Sequence, residues 1–305
     1  MNGEFSNTLL HPRYWLTWMG IGFFYLGSQL PMPVLDKIGS LLGRYLMKKN
    51  RKRHVVVKTN LSLCFPDKSE AELEIMAAKH FEFLMQSMMH YGLTWWASEK
   101  KLQSLMQLEG FEKIDQLQQQ GHNVIILLSH CTGLEFAVSA ITRAFPSSGP
   151  YKPFKNPVVD YLIARARQRF GCRTFTREDG FRPIISDARK GRVIIYLADE
   201  DLGPEVSVFT PFCGVEKATI PVLGRLAKSC KAKVIPAISC YDQAAHQYRV
   251  SLLDGLADFP QGDEQGDAVS MNQMIEKTVE RCPLQYLWIL KFFKTRPEGQ
   301  GGVYS

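Results

Sequence analysis

The sequence predicts an α/β fold: a central, largely parallel sheet flanked by helices, with an N-terminal membrane helix. Three observations carry this. Beyond residue 120, short Val/Ile/Leu runs (VIILLSH, RVIIYLAD, AKVIPAIS) alternate with helical stretches, the signature of buried parallel strands with helices between them. Residues 14–35 form a 22-residue stretch without a formal charge. Between these parts, a capping box opens a long helical pattern. At 305 residues the chain can hold one large domain or two small ones. We divide it into an anchor, 1–35, and a globular body, 36–305.

Taken in order, residues 14–30 as a helix would extend about 26 Å, just enough for a bilayer core. The helix should end near Leu30, because Pro31 and Pro33 follow. Tyr14, Trp15, Trp18 and Tyr25 suit an interfacial aromatic belt. A buried helix, or one lying in the membrane plane, is the competing reading of this marginal length. Lys37, Arg44, Lys48, Lys49, Arg51, Lys52 and Arg53 follow. The positive-inside rule then places the body in the cytoplasm, with the basic run against anionic membrane phospholipids. Pro66 and the box Ser69-x-x-Glu72 start the next helix, and Leu73, Ala77, Phe81, Leu84, Met88, Tyr91 and Trp95 mark its apolar face. LEFAVSAITRAF, PVVDYLIARARQRF, FRPIISDARK and ATIPVLGRLAKS are the helices that accompany the strands.

The formal charge of +7 favours anionic partners. No zinc-finger spacing, RNP-like motif or basic-region heptad points to nucleic acid. Seven cysteines are scattered, odd in number and never spaced Cys-x2-Cys. This argues against a disulfide framework or a zinc site, for small buried hydrophobes and for a reducing compartment.

The chemistry concentrates at strand ends, where open α/β sheets place their functional groups. His130 follows the run VIILLS directly, and Glu135 lies five residues on, at the start of the next helix. Thr132 is a candidate cap there. A carboxylate in that first turn is favoured as the anion. It can hold one imidazole nitrogen and leave the other as a base. A structural histidine followed by an unrelated glutamate fits the same spacing. Cys131 as a nucleophile is a further rival, although neighbours in extended chain point to opposite faces. Arg165 and Arg169 share one helix face while Arg167 points elsewhere; such groups suit phosphate or a solvated surface. Asp199, Glu200 and Asp201 follow a buried strand and suit hydrogen bonding to hydroxyls or amines, with no ligand motif for a metal.

Together these pieces resemble the late (secondary) acyltransferases of lipid A biosynthesis in Gram-negative bacteria. The resemblance runs through HPRYW, NLSLCFPD, the His-x4-Glu of His130 and Glu135, KNPVVDYLIARARQRFG, DEDLGPEVSVFTPFCGVEKAT and WILKFFKTRPEG. DEDLGPE and WILKFFKTR look more like the myristoyltransferase branch than the lauroyltransferase branch. Phe-Cys-Gly at 212–214 stands where Phe-Phe-Gly is common. The resemblance implies a glycerolipid acyltransferase-like fold and no cofactor or metal. It implies acyl transfer from acyl carrier protein to a 3-hydroxyacyl group of a phosphorylated Kdo-lipid A precursor, at the cytoplasmic side of the inner membrane. His130 and Glu135 would be catalytic. Arg165, Arg167, Arg169, Asp199, Glu200, Asp201 and Lys217 would bind substrate.

Two other functions fit the same residues. An acyl-thioesterase would use the His–Glu pair to activate water, and a non-catalytic lipid-binding protein would not need the pair at all.

Overall fold

The computed structural model describes residues 5–304. Two short 3-10 turns lead into four helices: α1 (Trp15–Ser28), α2 (Met32–Lys49), α3 (Arg51–Cys64) and α4 (Glu70–Trp96). The body follows as α5 (Glu99–Ser104), β1 (Met106–Glu109), α6 (Glu112–Gln119), β2 (Asn123–Leu128), α7 (Leu134–Ala144), β3 (Ser147–Pro150), α8 (Pro157–Gln168) and β4 (Arg173–Phe175). It continues through α9 (Arg182–Arg189), β5 (Val193–Leu197), β6 (Val208–Phe212), β7 (Val215–Thr219), α10 (Val222–Cys230), β8 (Ala232–Asp242), β9 (Gln247–Leu252) and α11 (Glu264–Arg281).

Seven strands form one sheet in the order β1-β9-β8-β2-β5-β3-β4, and only the β8–β9 pair is antiparallel. The largely parallel sheet is therefore as the sequence predicts. The three apolar runs are its centre: β2 lies between β8 and β5. Successive side chains of β2 enter opposite layers, as strand geometry requires. Ile125 and Leu127 join Phe81, Ile194, Leu226, Met274 and Trp288 on one face. Val124, Ile126 and Leu128 join Phe136, Ile141, Ile195 and Val250 on the other. Each such side chain contributes roughly 1.5–3 kcal/mol through burial, which is why the strands read as continuous apolar runs. β6 and β7 form a separate antiparallel hairpin. Cys213 (φ 52°) and Gly214 (φ 75°) make its two-residue turn, the left-handed pair that favours a tight hairpin. Phe-Cys-Gly is therefore a turn, held by the Cys213 N–H donating to Glu276 Oε1 at 2.5 Å.

α4 begins at the predicted capping box: the Glu72 N–H donates to Ser69 Oγ at 3.3 Å, and the Ser69 N–H to Glu72 Oε2 at 2.9 Å. Leu73, Ala77, Phe81 and Leu84 are buried as expected, whereas Met88 is exposed. α2 lies close against α4 because Gly39 and Gly43 leave the approach open. A Cβ at Gly43 would sit 2.3 Å from Phe81 O, and one at Gly39 2.5 Å from Gln86 Cα.

One expectation is corrected. Among the described residues, no helix is long and apolar enough to cross a membrane. The uncharged stretch folds as two helices. α1 has 14 residues, about 21 Å, and Pro31 caps the N-terminus of α2, with Pro33 in its first turn. A proline in that position starts a helix at little cost, so the residues read as a terminator also open the next element. Leu35 lies within α2 and is buried. α1 packs Trp18 and Ile21 on Val158 and Tyr161 of α8 and Phe24 on Trp95 of α4. Its other side leaves Trp15, Leu16, Met19, Phe23 and Leu26 exposed.

The cysteine reading also changes. Cys240 of β8 and Cys282, just past α11, form a disulfide with a Cα–Cα distance of 6.1 Å. Packing of α11 on β8 brings together residues 42 apart in sequence, and no local spacing announces it. Cys64, Cys131, Cys172, Cys213 and Cys230 are free thiols.

Candidate active site

β2 and β5 are parallel neighbours with Leu128 opposite Leu197. His130 and Asp199 each lie two residues beyond that rung, so the register itself brings them together. The His130 N–H donates to Asp199 Oδ2 at 2.7 Å, and Nδ1 donates to Asp199 Oδ1 at 2.5 Å. The carboxylate thus fixes both the loop and the ring. The loop is braced from behind by the C-terminal segment. The Thr132 N–H donates to Gln285 O at 2.8 Å, and the Leu287 N–H to His130 O at 2.9 Å. Tyr91 of α4 adds a hydroxyl bond to Thr132 O at 3.1 Å. A Cβ at Gly133 would lie 2.7 Å from Ser239 O, so glycine is needed where the loop passes β8.

His130 Nε2 faces the open side. The side chain is 18% exposed, and Glu200, 45% exposed, has Oε1 at 3.7 Å from Nε2. Burial works against a charge on His130, yet Asp199 and then Glu200 outweigh it and raise the imidazole above its ordinary value. Burial would likewise lift Asp199, but His130 and Lys217 hold its carboxyl below the usual range.

Glu135 sits in the first turn of α7, where the sequence places it, but its hydrogen bonds go elsewhere. Arg167 reaches across from α8 with Nη2 at 2.5 Å from Glu135 Oε1 and Nε at 3.4 Å from Oε2. The guanidinium lies 5.4 Å over the Tyr151 ring. It is desolvated, and Glu135 and Tyr151 raise its proton affinity in compensation. Thr132 is not the cap of α7. Gly133 holds that position without a side-chain bond, and Thr132 Oγ1 is buried without a partner.

The remaining residues singled out in the sequence divide. Arg165 is exposed and donates to Tyr161 Oη at 2.7 Å. Arg169 donates to Ala97 O at 2.6 Å, tying α8 to the end of α4. Asp201 accepts the Thr295 N–H at 2.6 Å and its hydroxyl at 2.8 Å, which pins the KTRP segment beside the site. Lys217 is wholly buried, and burial lowers its proton affinity. Cys131 is buried against Ile238 and Cys282, and burial pushes its thiol up to about 12, poor conditions for a thiolate nucleophile. Among the described residues, no three His, Cys, Asp or Glu side chains are placed to hold a metal ion.

The sequence profile of the bacterial lipid A biosynthesis acyltransferases matches residues 3–295. The chain belongs to that family. It is 36% identical to a lipid A biosynthesis acyltransferase of Haemophilus influenzae, over 97% of this chain and 93% of the relative. It is 35% identical to the lipid A biosynthesis lauroyltransferase of Escherichia coli, over 99% and 98% of the two chains. The lipid A biosynthesis myristoyltransferase of the same organism is 34% identical, over 99% and 94%. Overall identity does not separate these branches, so the likeness to the myristoyltransferases rests on DEDLGPE and WILKFFKTR.

Proposed function

We propose that this acyltransferase moves a fatty acyl chain from acyl carrier protein to a 3-hydroxyacyl group of a phosphorylated Kdo-lipid A precursor, with His130 as the base. The observation that supports it most is the asymmetry of His130, whose Nδ1 is held by buried Asp199 while Nε2 faces the opening. In the proposed step, Nε2 takes the proton of the acceptor hydroxyl as its oxygen attacks the thioester carbonyl carbon. The C–S bond then breaks, and the imidazolium returns the proton to the departing thiolate. Asp199 holds the tautomer and balances the imidazolium, the role the sequence reading gave to Glu135. Arg167, oriented by Glu135, supplies a fixed positive charge for the developing oxyanion. Exposed Arg165 suits a lipid phosphate.

The test is mass spectrometry of the lipid precursor after incubation with purified protein and carrier proteins bearing chains of several lengths. An added acyl mass is expected. Free fatty acid with unchanged lipid would make the protein a thioesterase, and no change in either pool would leave a lipid-binding protein.

The same reading places the chain at the cytoplasmic side of the inner membrane, with α1 lying in the interface. Its exposed apolar side, followed by the basic residues of α2 and α3, supports this. Leu16→Ser with Phe23→Ser changes only exposed groups and should reduce flotation with phosphatidylglycerol vesicles. Unchanged flotation would remove α1 as the contact.

A further inference from the structure

Among the described residues beyond α5, the large apolar side chains left on the surface are Leu108, on edge strand β1, and Phe154, Phe181, Leu202 and Val206. The last four are 41–47% exposed, and all sit on loops that leave one end of the sheet. β2, β5, β3 and β4 are adjacent in that order and parallel. Phe154 follows β3, Phe181 ends the loop after β4, and Leu202 and Val206 follow β5, as His130 follows β2. The four therefore rim the opening that His130 Nε2 faces. Apolar residues exposed singly need no explanation, but a group around one opening marks a surface that meets something.

The loop after β3 indicates what that is. Lys152, Phe154 and Lys155 are exposed, and residues 151–156 include no acid. Asn156 ends the loop and caps α8, accepting the Val158 N–H at 3.0 Å, and its amide donates to Thr17 Oγ1 of α1 at 3.0 Å. The first turns of α1, which expose Trp15, Leu16 and Met19, are thereby held beside the rim. Lysines lay their stems on an apolar phase while their ammonium heads reach phosphates, so a phenylalanine between two of them fits the boundary of an anionic bilayer. Glu178 and Asp179 precede Phe181, and Glu205 precedes Val206. Charge therefore favours lipid at the β3 loop, and apolar contact carries the other two. We propose that the rim is a lipid contact separate from α1. Phe154, Phe181, Leu202 and Val206 enter the surface of an anionic bilayer and seat the mouth of the site on it, so that the acceptor reaches His130 without crossing water. The inference rests on the proposed transfer to a bilayer lipid.

The test uses the full-length protein, with vesicles of phosphatidylglycerol or phosphatidylcholine titrated in a flotation assay. Phe154→Ser with Leu202→Ser changes only exposed groups, and circular dichroism should show an intact fold. Its apparent affinity for phosphatidylglycerol vesicles should fall roughly tenfold, as expected when two large apolar side chains no longer leave water. Transfer to acceptor embedded in those vesicles should fall with it, while transfer to the same acceptor dispersed in detergent micelles stays near the wild-type rate. Lys152→Glu with Lys155→Glu should weaken binding to phosphatidylglycerol and leave the weaker binding to phosphatidylcholine unchanged. Unchanged vesicle affinity in the folded serine variant overturns the inference. So does an equal loss of transfer in vesicles and micelles, which would place these side chains within the reaction site. A raised KM for the carrier protein in both formats, with vesicle affinity intact, would make the rim a protein dock and overturn it too. Failure of the wild-type protein to acylate the acceptor in either format would instead end the proposed function, and the vesicle titrations would still decide the rim.

Discussion

Two histidine–carboxylate centres lie at the same end of the molecule, and they behave oppositely. At the first, Asp199 gives both oxygens to His130 alone. At the second, Asp36 of α2 is shared. Its Oδ2 accepts from Tyr241 Oη at 2.7 Å and from His246 Nδ1 at 2.6 Å, while Oδ1 stands 3.3 Å from His90 Nε2 without hydrogen-bond alignment. The other nitrogen of His90 is bonded to Tyr248 Oη at 2.9 Å. His130 is raised and His90 is lowered, although burial acts on both in the same direction. The difference is what each carboxylate has left to give. Asp199 serves one ring, aided by Glu200, whereas Asp36 divides its charge and His246 adds an opposing positive one. An undivided carboxylate with one free imidazole nitrogen makes a base, and a divided one with both nitrogens enclosed makes a clasp. The second centre ties α2 and α4 to the β8–β9 hairpin.

The largest effects should separate the two. His130→Ala should cost ~10²–10⁴-fold in transfer, with circular dichroism showing an intact fold. Asp199→Asn should fall in the same range, since an amide neither balances an imidazolium nor secures the tautomer. Glu135→Gln should be milder, because Glu135 meets Arg167 in the structure. If Glu135→Gln proves the more damaging of the two, Glu135 is the partner in catalysis and the comparison breaks. Cys131→Ser should change the rate by only about twofold, whereas a thiol nucleophile would lose nearly all activity. Because the base must be neutral, kcat/KM should rise with pH through the raised His130 value. Its acid limb should therefore lie above the 6.5 of an unperturbed histidine.

Asp36→Asn should act on stability instead. Breaking a buried charged centre costs about 3–5 kcal/mol, readable as a lower urea midpoint, while the folded protein transfers acyl chains at a near-normal rate. A matching loss of kcat would make the clasp part of the catalytic apparatus. The pH signs of the two centres differ as well. The stabilisation linked to His130 is complete below about pH 6.5 and is lost as pH rises through its raised value. That linked to His90 is complete above about pH 6.5 and is lost as pH falls through its lowered value. Measured against pH, the stability gap between wild type and His130→Ala should shrink on the alkaline side.

Much of the first centre was legible in the sequence and almost none of the second. Unbroken Val/Ile/Leu runs mark strands buried on both faces, and polar residues directly after them mark the mouth of the sheet. His130 and Asp199 could both be found this way. Their pairing could not, because it depends on β2 and β5 being neighbours in a particular register. Glu135, in the first turn of the next helix, is the nearer carboxylate in sequence, while its partner in the structure comes from α8. The second centre draws on residues 36, 90, 241, 246 and 248, and no local pattern links an aspartate just past a membrane-like stretch to a hairpin more than 200 residues away. The same limit hid the Cys240–Cys282 bridge. The 14–35 segment misled for another reason. Composition reports how apolar a stretch is, but the break between α1 and α2 and the Gly39–Gly43 face make it part of a packed layer.

The smallest effect offers the finest test of charge division. His246 sits in the β8–β9 turn with φ 53° and a side chain 38% exposed, so water can replace much of what it gives Asp36. His246→Gln should therefore cost only about 1 kcal/mol, the net worth of one hydrogen bond, far less than Asp36→Asn. Its informative consequence is at His90. His246 is one of the groups that lower His90, and its removal also frees part of Asp36 for the remaining ring. Both changes favour the protonated form, so the His90 resonance should titrate at a higher pH in His246→Gln than in wild type. His130, which has its own carboxylate, should not move. If His90 stays where it was, burial alone sets its state, and the contrast with His130 reduces to how deeply each ring is enclosed. If His130 moves as well, the two centres share a field, and neither carboxylate is as private as its hydrogen bonds suggest.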